Sequence, residues 1–155
     1  MSDNVIRSSK VRSLFKRPES VLVVVYTQAL EVLLICRHSP ADFWQSVTGS
    51  LEEGELPAEA AQRELFEETG IDATVSDHAV SRVFPIRDPW RKRYAPGVTE
   101  NREHEFSVQL PNRCDIVLEP SEHCDYCWLP MVDAIAKVGS RTNRAALKSI
   151  LNVEG

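Results

Sequence analysis

Residues 57–70 read PAEAAQRELFEETG, and this stretch constrains the fold of the chain more than any other. Pro57 suits an early helical position, because its fixed φ fits a helix and the N–H it lacks has no partner to meet there. Gly70 can end the helix in a left-handed conformation. The pattern predicts a helix from Pro57 to Thr69. At about 100 degrees per residue, Glu64, Glu67 and Glu68 share one broad sector. Ala58, Ala61 and Leu65 form an adjoining stripe that can pack on a sheet, which sets the carboxylates at the edge of the core. Like charges three and four residues apart on a helix repel, and partial burial strengthens the repulsion. Hard oxygen donors in this number suit magnesium or manganese, which would neutralise them and leave positions for water and phosphate oxygens. A solvated acidic face, common on helices, is the competing reading that this segment alone leaves open.

The rest of the chain sets the bounds. Its 155 residues make one domain with room for a real core, and a formal net charge of −5 disfavours a general nucleic-acid binder. No apolar run approaches the roughly 18 residues of a membrane span, and "VLVVVY" after Ser20 has the length of a buried strand. The basic start, MSDNVIRSSKVRSLFKR, lacks the apolar centre of a secretory signal, so a cytoplasmic location is expected. "SVLVVVYT" and "LEVLLICR" read as a hairpin, with further strands in "SRVFPI", "HEFSVQL", "CDIVL" and "CDYCWL". Two more helices are expected in "PMVDAIAKV" and "NRAALKSILN". This order suggests a mixed sheet covered by helices. Cys124 and Cys127 form a Cys-x-x-Cys pair, but strand alternation points them to opposite faces, so ordinary reduced thiols are expected there and at Cys36 and Cys114. No second paired motif supports His104 or His123 as zinc ligands.

Gly49, Glu55, and the run Arg63, Glu64, Leu65, Phe66, Glu67, Glu68, Thr69, Gly70 and Ile71 resemble the Nudix box of the Nudix hydrolases at every constrained position. The resemblance implies an α/β/α sandwich with a mixed β-sheet. It also implies magnesium-dependent hydrolysis of a diphosphate linked to another group, with manganese as an alternative ion. Glu64 and Glu68 are then metal ligands with Glu67 close by, and the loop from Gly49 to Glu55 lets the backbone turn tightly. Arg63 fits an organiser paired with Glu55 or Glu67 rather than a group touching substrate. An ordinary surface pair with Glu59 is the plainer alternative.

Outside the box, "FKRPESVLVVVY", "DFWQSVTGS", "RYAPGVTEN" and "EHCDYCWL" resemble a bacterial Nudix subgroup, in pieces from Lys16 to Asn143. That resemblance implies removal of pyrophosphate from dihydroneopterin triphosphate, leaving the monophosphate, in folate biosynthesis. It places the domain at residues 16–155, after an N-terminal arm of residues 1–15 with no assignable counterpart. It adds Glu122 as a third metal ligand, on a loop before the "CDYCWL" strand, and sets Lys16, Arg37, Thr48 and Ser140 around the substrate. Lys16 and Arg37 can hold phosphate oxygens, and the hydroxyls of Thr48 and Ser140 can donate and accept. All are equally ordinary surface residue types. Arg93 and Tyr94 are expected on a loop over the site, shaped by Pro96 and Gly97. Phe43 and Trp44 suit either ring stacking or the core. Glu67 is a candidate general base, with Glu122 or an unassigned loop residue as alternatives. Two other functions share the same motif: hydrolysis of deoxynucleoside triphosphates, and ligand binding by a catalytically silent module.

Overall fold

The computed structural model describes residues 15–154. All but the last residue of the expected N-terminal arm therefore lies outside the described residues. A seven-stranded sheet is built from β1 (Glu19–Thr27), β2 (Glu31–Arg37), β3 (Trp44–Gln45), β4 (Val47–Ser50), β5 (Ser76–Pro85), β6 (Glu100–Leu110) and β7 (His123–Pro130). Three helices cover it: α1 (Pro57–Thr69), α2 (Met131–Lys137) and α3 (Arg141–Glu154). β1 is the centre because its run of β-branched and aliphatic residues can be buried on both faces. Val21, Val23 and Val25 join Leu33, Ile35, Phe106 and the α1 residue Leu65 in one core. Leu22, Val24 and Tyr26 join Leu34, Met131 of α2 and Leu147 of α3 in the other. The result is a mixed sheet between helical layers, as the alternating pattern of elements implies.

The register decides where the site lies. β1 runs parallel to β6 from Glu19↔Arg102 to Thr27↔Leu110. Its opposite edge is shared: Tyr26 pairs with Val32 of β2, whereas Ser20 to Val23 pair with β4. β2 continues instead against β7 and, at Ile35 and Cys36, against β3. The expected β1–β2 hairpin is thus closed at its turn while its far ends pass to different partners. The gap between them is filled by β3 and β4.

Several expectations change in detail. Residues 114–118 do not form a strand; Ile116 and Leu118 pack on the first core, and the Val117 N–H donates to the Thr69 carbonyl at 2.9 Å. Their alternating apolar pattern reflects packing against the end of α1 instead of strand pairing. Ala58 is exposed, and the buried face of α1 is made by Ala60, Ala61, Leu65, Glu68 and Thr69. Cys127 packs on the second core while Cys124, on the other side of β7, is exposed. All four cysteines are free thiols.

The helix ends behave as the residue types require. Pro57 occupies the first turn, and the Glu59 carboxylate accepts from the Leu56 N–H at 2.9 Å, so Glu59 is not the partner of Arg63. Gly70 closes α1 at φ 76°, its N–H donating to the Phe66 carbonyl at 2.9 Å. A Cβ there would also sit 3.2 Å from that of Val117. Gly70→Ala is therefore expected to lower the unfolding free energy by about 1–2 kcal/mol, measured by urea titration, with the midpoint and not the slope changing.

Candidate active site

A cavity of about 600 Å³ is lined by residues at the start of β1 and the end of β2, among them Ser20 and Arg37. Lys16, Arg37, Thr48, Ser140, Glu64, Glu68 and Glu122 all line it, together with Gly49 and Arg63. Elements far apart in sequence thus bring to one place the groups that the sequence reading named. Glu55, Glu67 and Gly70 lie outside the lining, and Gly70's part is the helix end described above.

Arg63 holds the acidic side together. Its Nε and Nη2 donate to the two Glu55 carboxylate oxygens at 2.8 and 2.9 Å, Nη2 also to the Ser50 carbonyl at 3.1 Å, and Nη1 to Glu67 at 3.0 Å. Glu55 in turn accepts from the Glu52 N–H at 2.8 Å, fixing the loop between β4 and α1. The guanidinium holds the Glu55 carboxyl below its ordinary value against the opposing effect of burial. The Glu67 side chain is 53 % exposed and turned to Arg63, outside the cavity lining. Glu52, which the sequence reading left unnamed, does line it.

Gly49 serves a different purpose from the one its motif position implies. It lies within β4, and the left-handed residue of the loop is Gly54, at φ 78°. A Cβ on Gly49 would stand 1.7 Å from Glu64 Oε2 and 2.1 Å from its Cδ. The missing side chain is the space in which the Glu64 carboxylate sits. Gly49→Ala should displace that carboxylate and cut turnover by about 100-fold, with the folded far-UV circular dichroism spectrum retained.

The cationic side comes from strand ends. Burial, then Arg93 and Arg37, lower the Lys16 pKa; burial and Arg93 do the same for Arg37. The Lys16 N–H donates to the Arg93 carbonyl at 2.8 Å, which ties the expected loop of Arg93 and Tyr94 to the cavity, and both residues line it. Pro96 and Gly97 do not. The Arg37 guanidinium lies 5.8 Å from the Trp90 ring centre, and Trp90 meets Phe43 edge to face with centroids 5.5 Å apart. Phe43 lines the cavity, whereas Trp44 packs on the second core with Lys137 Nζ 4.8 Å from its ring. The Ser140 hydroxyl accepts from the Asn143 N–H at 3.3 Å at the start of α3 and lies 2.9 Å from Thr142 Oγ1. Glu122 stands in the turn before β7, held by its carbonyl accepting from the His38 N–H at 3.1 Å.

The donor set fits a divalent cation. Glu68 is buried, and its Oε2 has no hydrogen-bond partner; His123, with both ring nitrogens equally unpartnered, places Nδ1 3.8 Å away. Burial pushes Glu68 up to about 9, helped by Glu64 and Glu122, and pushes Glu64 up to about 7, partly offset by Arg63. Burial also depresses His123 to about 4, leaving a neutral ring beside the acids. Among the described residues, no three His, Cys, Asp or Glu groups are already drawn to metal-ligand distances.

Gln45, Asn101 and Glu103 also line the cavity and are buried; the sequence reading did not single them out. A signal existed, since Asn101, Glu103, Glu105 and Ser107 alternate along β6 where a buried face would ordinarily be apolar.

The raised carboxyls make stability fall with pH in chelator-treated protein. The folded state binds more protons than the unfolded one between the ordinary 4.5 and about 7 for Glu64 or about 9 for Glu68, so the unfolding free energy drops across that window. The melting temperature in chelator should fall by several degrees from pH 5 to pH 9, recover on addition of magnesium, and fall less in Glu68→Gln. A flat profile in chelator would contradict the burial of these acids.

The comparisons with known proteins agree with this geometry. The family model described as NUDIX domain matches residues 16–149. The chain is 44 % identical over 143 residues to a dihydroneopterin triphosphate diphosphatase of Escherichia coli, covering 88 % of this chain and 94 % of the relative. It is 38 % identical over 143 residues to that of Haemophilus influenzae, covering 88 % and 89 %. The solved structure of the E. coli dihydroneopterin triphosphate pyrophosphohydrolase superposes with a TM-score of 0.84, covering 88 % of this chain and 96 % of that one. With its box helix, its sheet and its cavity arranged in this way, the chain belongs to the Nudix family.

Proposed function

We propose that this chain hydrolyses dihydroneopterin triphosphate to dihydroneopterin monophosphate and pyrophosphate, with Mg2+ held by Glu64, Glu68 and Glu122 and Mn2+ as an alternative. The observation that carries the reading is one cavity lined by these three carboxylates together with Lys16 and Arg37. A triphosphate fits such a site because the basic side chains and a cation held by the acids can share its charge, and the extensive identity to the bacterial relatives supports the pterin as its organic part. A cytoplasmic enzyme acting on a small molecule belongs to the same reading. Among the described residues, no helix is long and apolar enough to cross a membrane.

When bound, the cation supplies charge neutralisation for the leaving pyrophosphate and acidifies a water. The protein's own groups do the rest. Lys16 binds phosphate oxygens as a point charge and Arg37 through its fork. Arg63 and Glu67 act at one remove: they brace the loop through Glu55 and so keep Glu64 and Glu52 facing the cavity. We assign the proton-accepting role to Glu52, the loop carboxylate left once Glu64, Glu68 and Glu122 are committed to the cation, in preference to Glu67.

Glu68→Gln is expected to lower kcat/KM by at least about 100-fold while leaving the fold intact, and Glu52→Gln to lower kcat more than it raises KM. Turnover of dihydroneopterin triphosphate with magnesium, following pyrophosphate and orthophosphate separately, checks the reaction. Release of pyrophosphate supports it. Preference for a deoxynucleoside triphosphate would overturn the pterin assignment, and absence of turnover on any triphosphate would overturn the hydrolase assignment.

A further inference from the structure

The cavity has an inner end that the phosphate chemistry does not use. It lies toward α3, on the face of the sheet opposite α1, where β1 and β6 contribute polar side chains. Asn101 is 2 % exposed and Glu103 7 %, so each polar group there has been withdrawn from bulk water. The Asn101 amide donates through Nδ2 to Ser20 Oγ at 2.7 Å, leaving its Oδ1 buried without a partner. Glu103 stands beside Ser20 in the β1–β6 register, two residues along from Asn101 on the same side of the strand. Arg82 lines the same cavity, but its guanidinium is spent on Glu105. Buried polar atoms are nearly always paired in folded proteins, so an orphan amide oxygen beside a buried carboxylate on the wall of one cavity marks a surface built to meet polar atoms of a ligand.

We propose that Glu103 and Asn101 form a recognition subsite for the 2-amino-4-oxo-pyrimidine edge of a fused-ring substrate. This rests on the triphosphate reading above and names what the ring end of the site selects. Such an edge presents a carbonyl oxygen, then a ring N–H, then an exocyclic amine. The two oxygens of Glu103 accept the ring N–H and one amine hydrogen, and Asn101 Oδ1 accepts the other. Phe43 and Trp90, paired edge to face on the cavity wall, give a flat ring an aromatic boundary. Rings with the opposite order of donors and acceptors, such as a 6-aminopurine, leave the carboxylate and the amide unsatisfied and are rejected for that reason.

The test separates ring recognition from chemistry. Equilibrium binding of dihydroneopterin, which carries no phosphate, and of its 2-deamino analogue is measured by calorimetry on the full chain without added metal. The 2-amino ring should bind at least about 10-fold tighter, and Glu103→Gln should cut that preference below about threefold. Asn101→Leu provides a second variant, expected to weaken the 2-amino ring by about 10-fold and to leave its 2-deamino analogue within about twofold. Equal binding of the two rings, binding of neither, or a preference that survives Glu103→Gln overturns the subsite. So does unaltered affinity of the 2-amino ring in Asn101→Leu. Turnover of the triphosphate with no 2-amino preference removes this inference alone, whereas the preference without turnover removes only the hydrolase assignment.

Discussion

The guanidinium of Arg63 is the tie on which the acidic half of the site depends. It reaches four places at once: both oxygens of Glu55, the carbonyl of Ser50, the carboxylate of Glu67 and, at 3.4 Å, that of Glu64. Through Ser50 it fixes the end of β4, through Glu55 the loop, and through Glu67 its own helix. A lysine at the same place would neutralise charge but could not present a planar fork to Glu55 and a separate nitrogen to Glu67. The fork lets a turn, a strand end and a helix share one geometry. Into that frame Gly49 admits Glu64 by having no side chain of its own.

The same frame explains why the acids are costly to the protein. Arg63 satisfies Glu55 and Glu67, the more peripheral members, and leaves Glu68 with an unpartnered oxygen beside a neutral, unpartnered His123. Arg37 and Lys16 of the same cavity favour the charged form of Glu68, and burial outweighs them. Local stability is given up at one point of the core, and a cation from outside the chain would restore it. Sites that violate the ordinary rule of paired buried charge are where ligands are expected.

Much of this was legible in the residues. Pro57 and Gly70 marked α1 because each meets a backbone requirement that few other residues meet, and the spacing of the box acids marked the cavity's acidic side. The strand misread at residues 114–118 shows the limit: Ile116 and Leu118 face a core, but alternation cannot tell a strand partner from the end of a helix. Ala58 and Ala60 could not be told apart for a similar reason, since a stripe of small residues gives a helix face only to within a residue or two. The role of Gly49 was hidden more deeply. Its demand comes from a side chain fifteen positions later, and no local pattern carries that information.

The parting of β1 from β2 lets a single small sheet present acids and neutral polar groups on its two faces to one cavity. Had the hairpin stayed paired along its length, β4 could not have reached the start of β1, and Gly49 could not have met Glu64. In the reading proposed above, one substrate lies across the edge of the sheet, its phosphates toward α1 and its ring toward α3. The two ends are built from different parts of the sequence. The phosphate end draws on the box helix with Lys16, Arg37 and Glu122, and the ring end on Asn101 and Glu103 of β6. Residues of the second kind can change without disturbing Arg63 or the acids it positions, and so one fold supports many substrates. On that reading the specificity of this chain is set by Asn101 and Glu103 and not by its box.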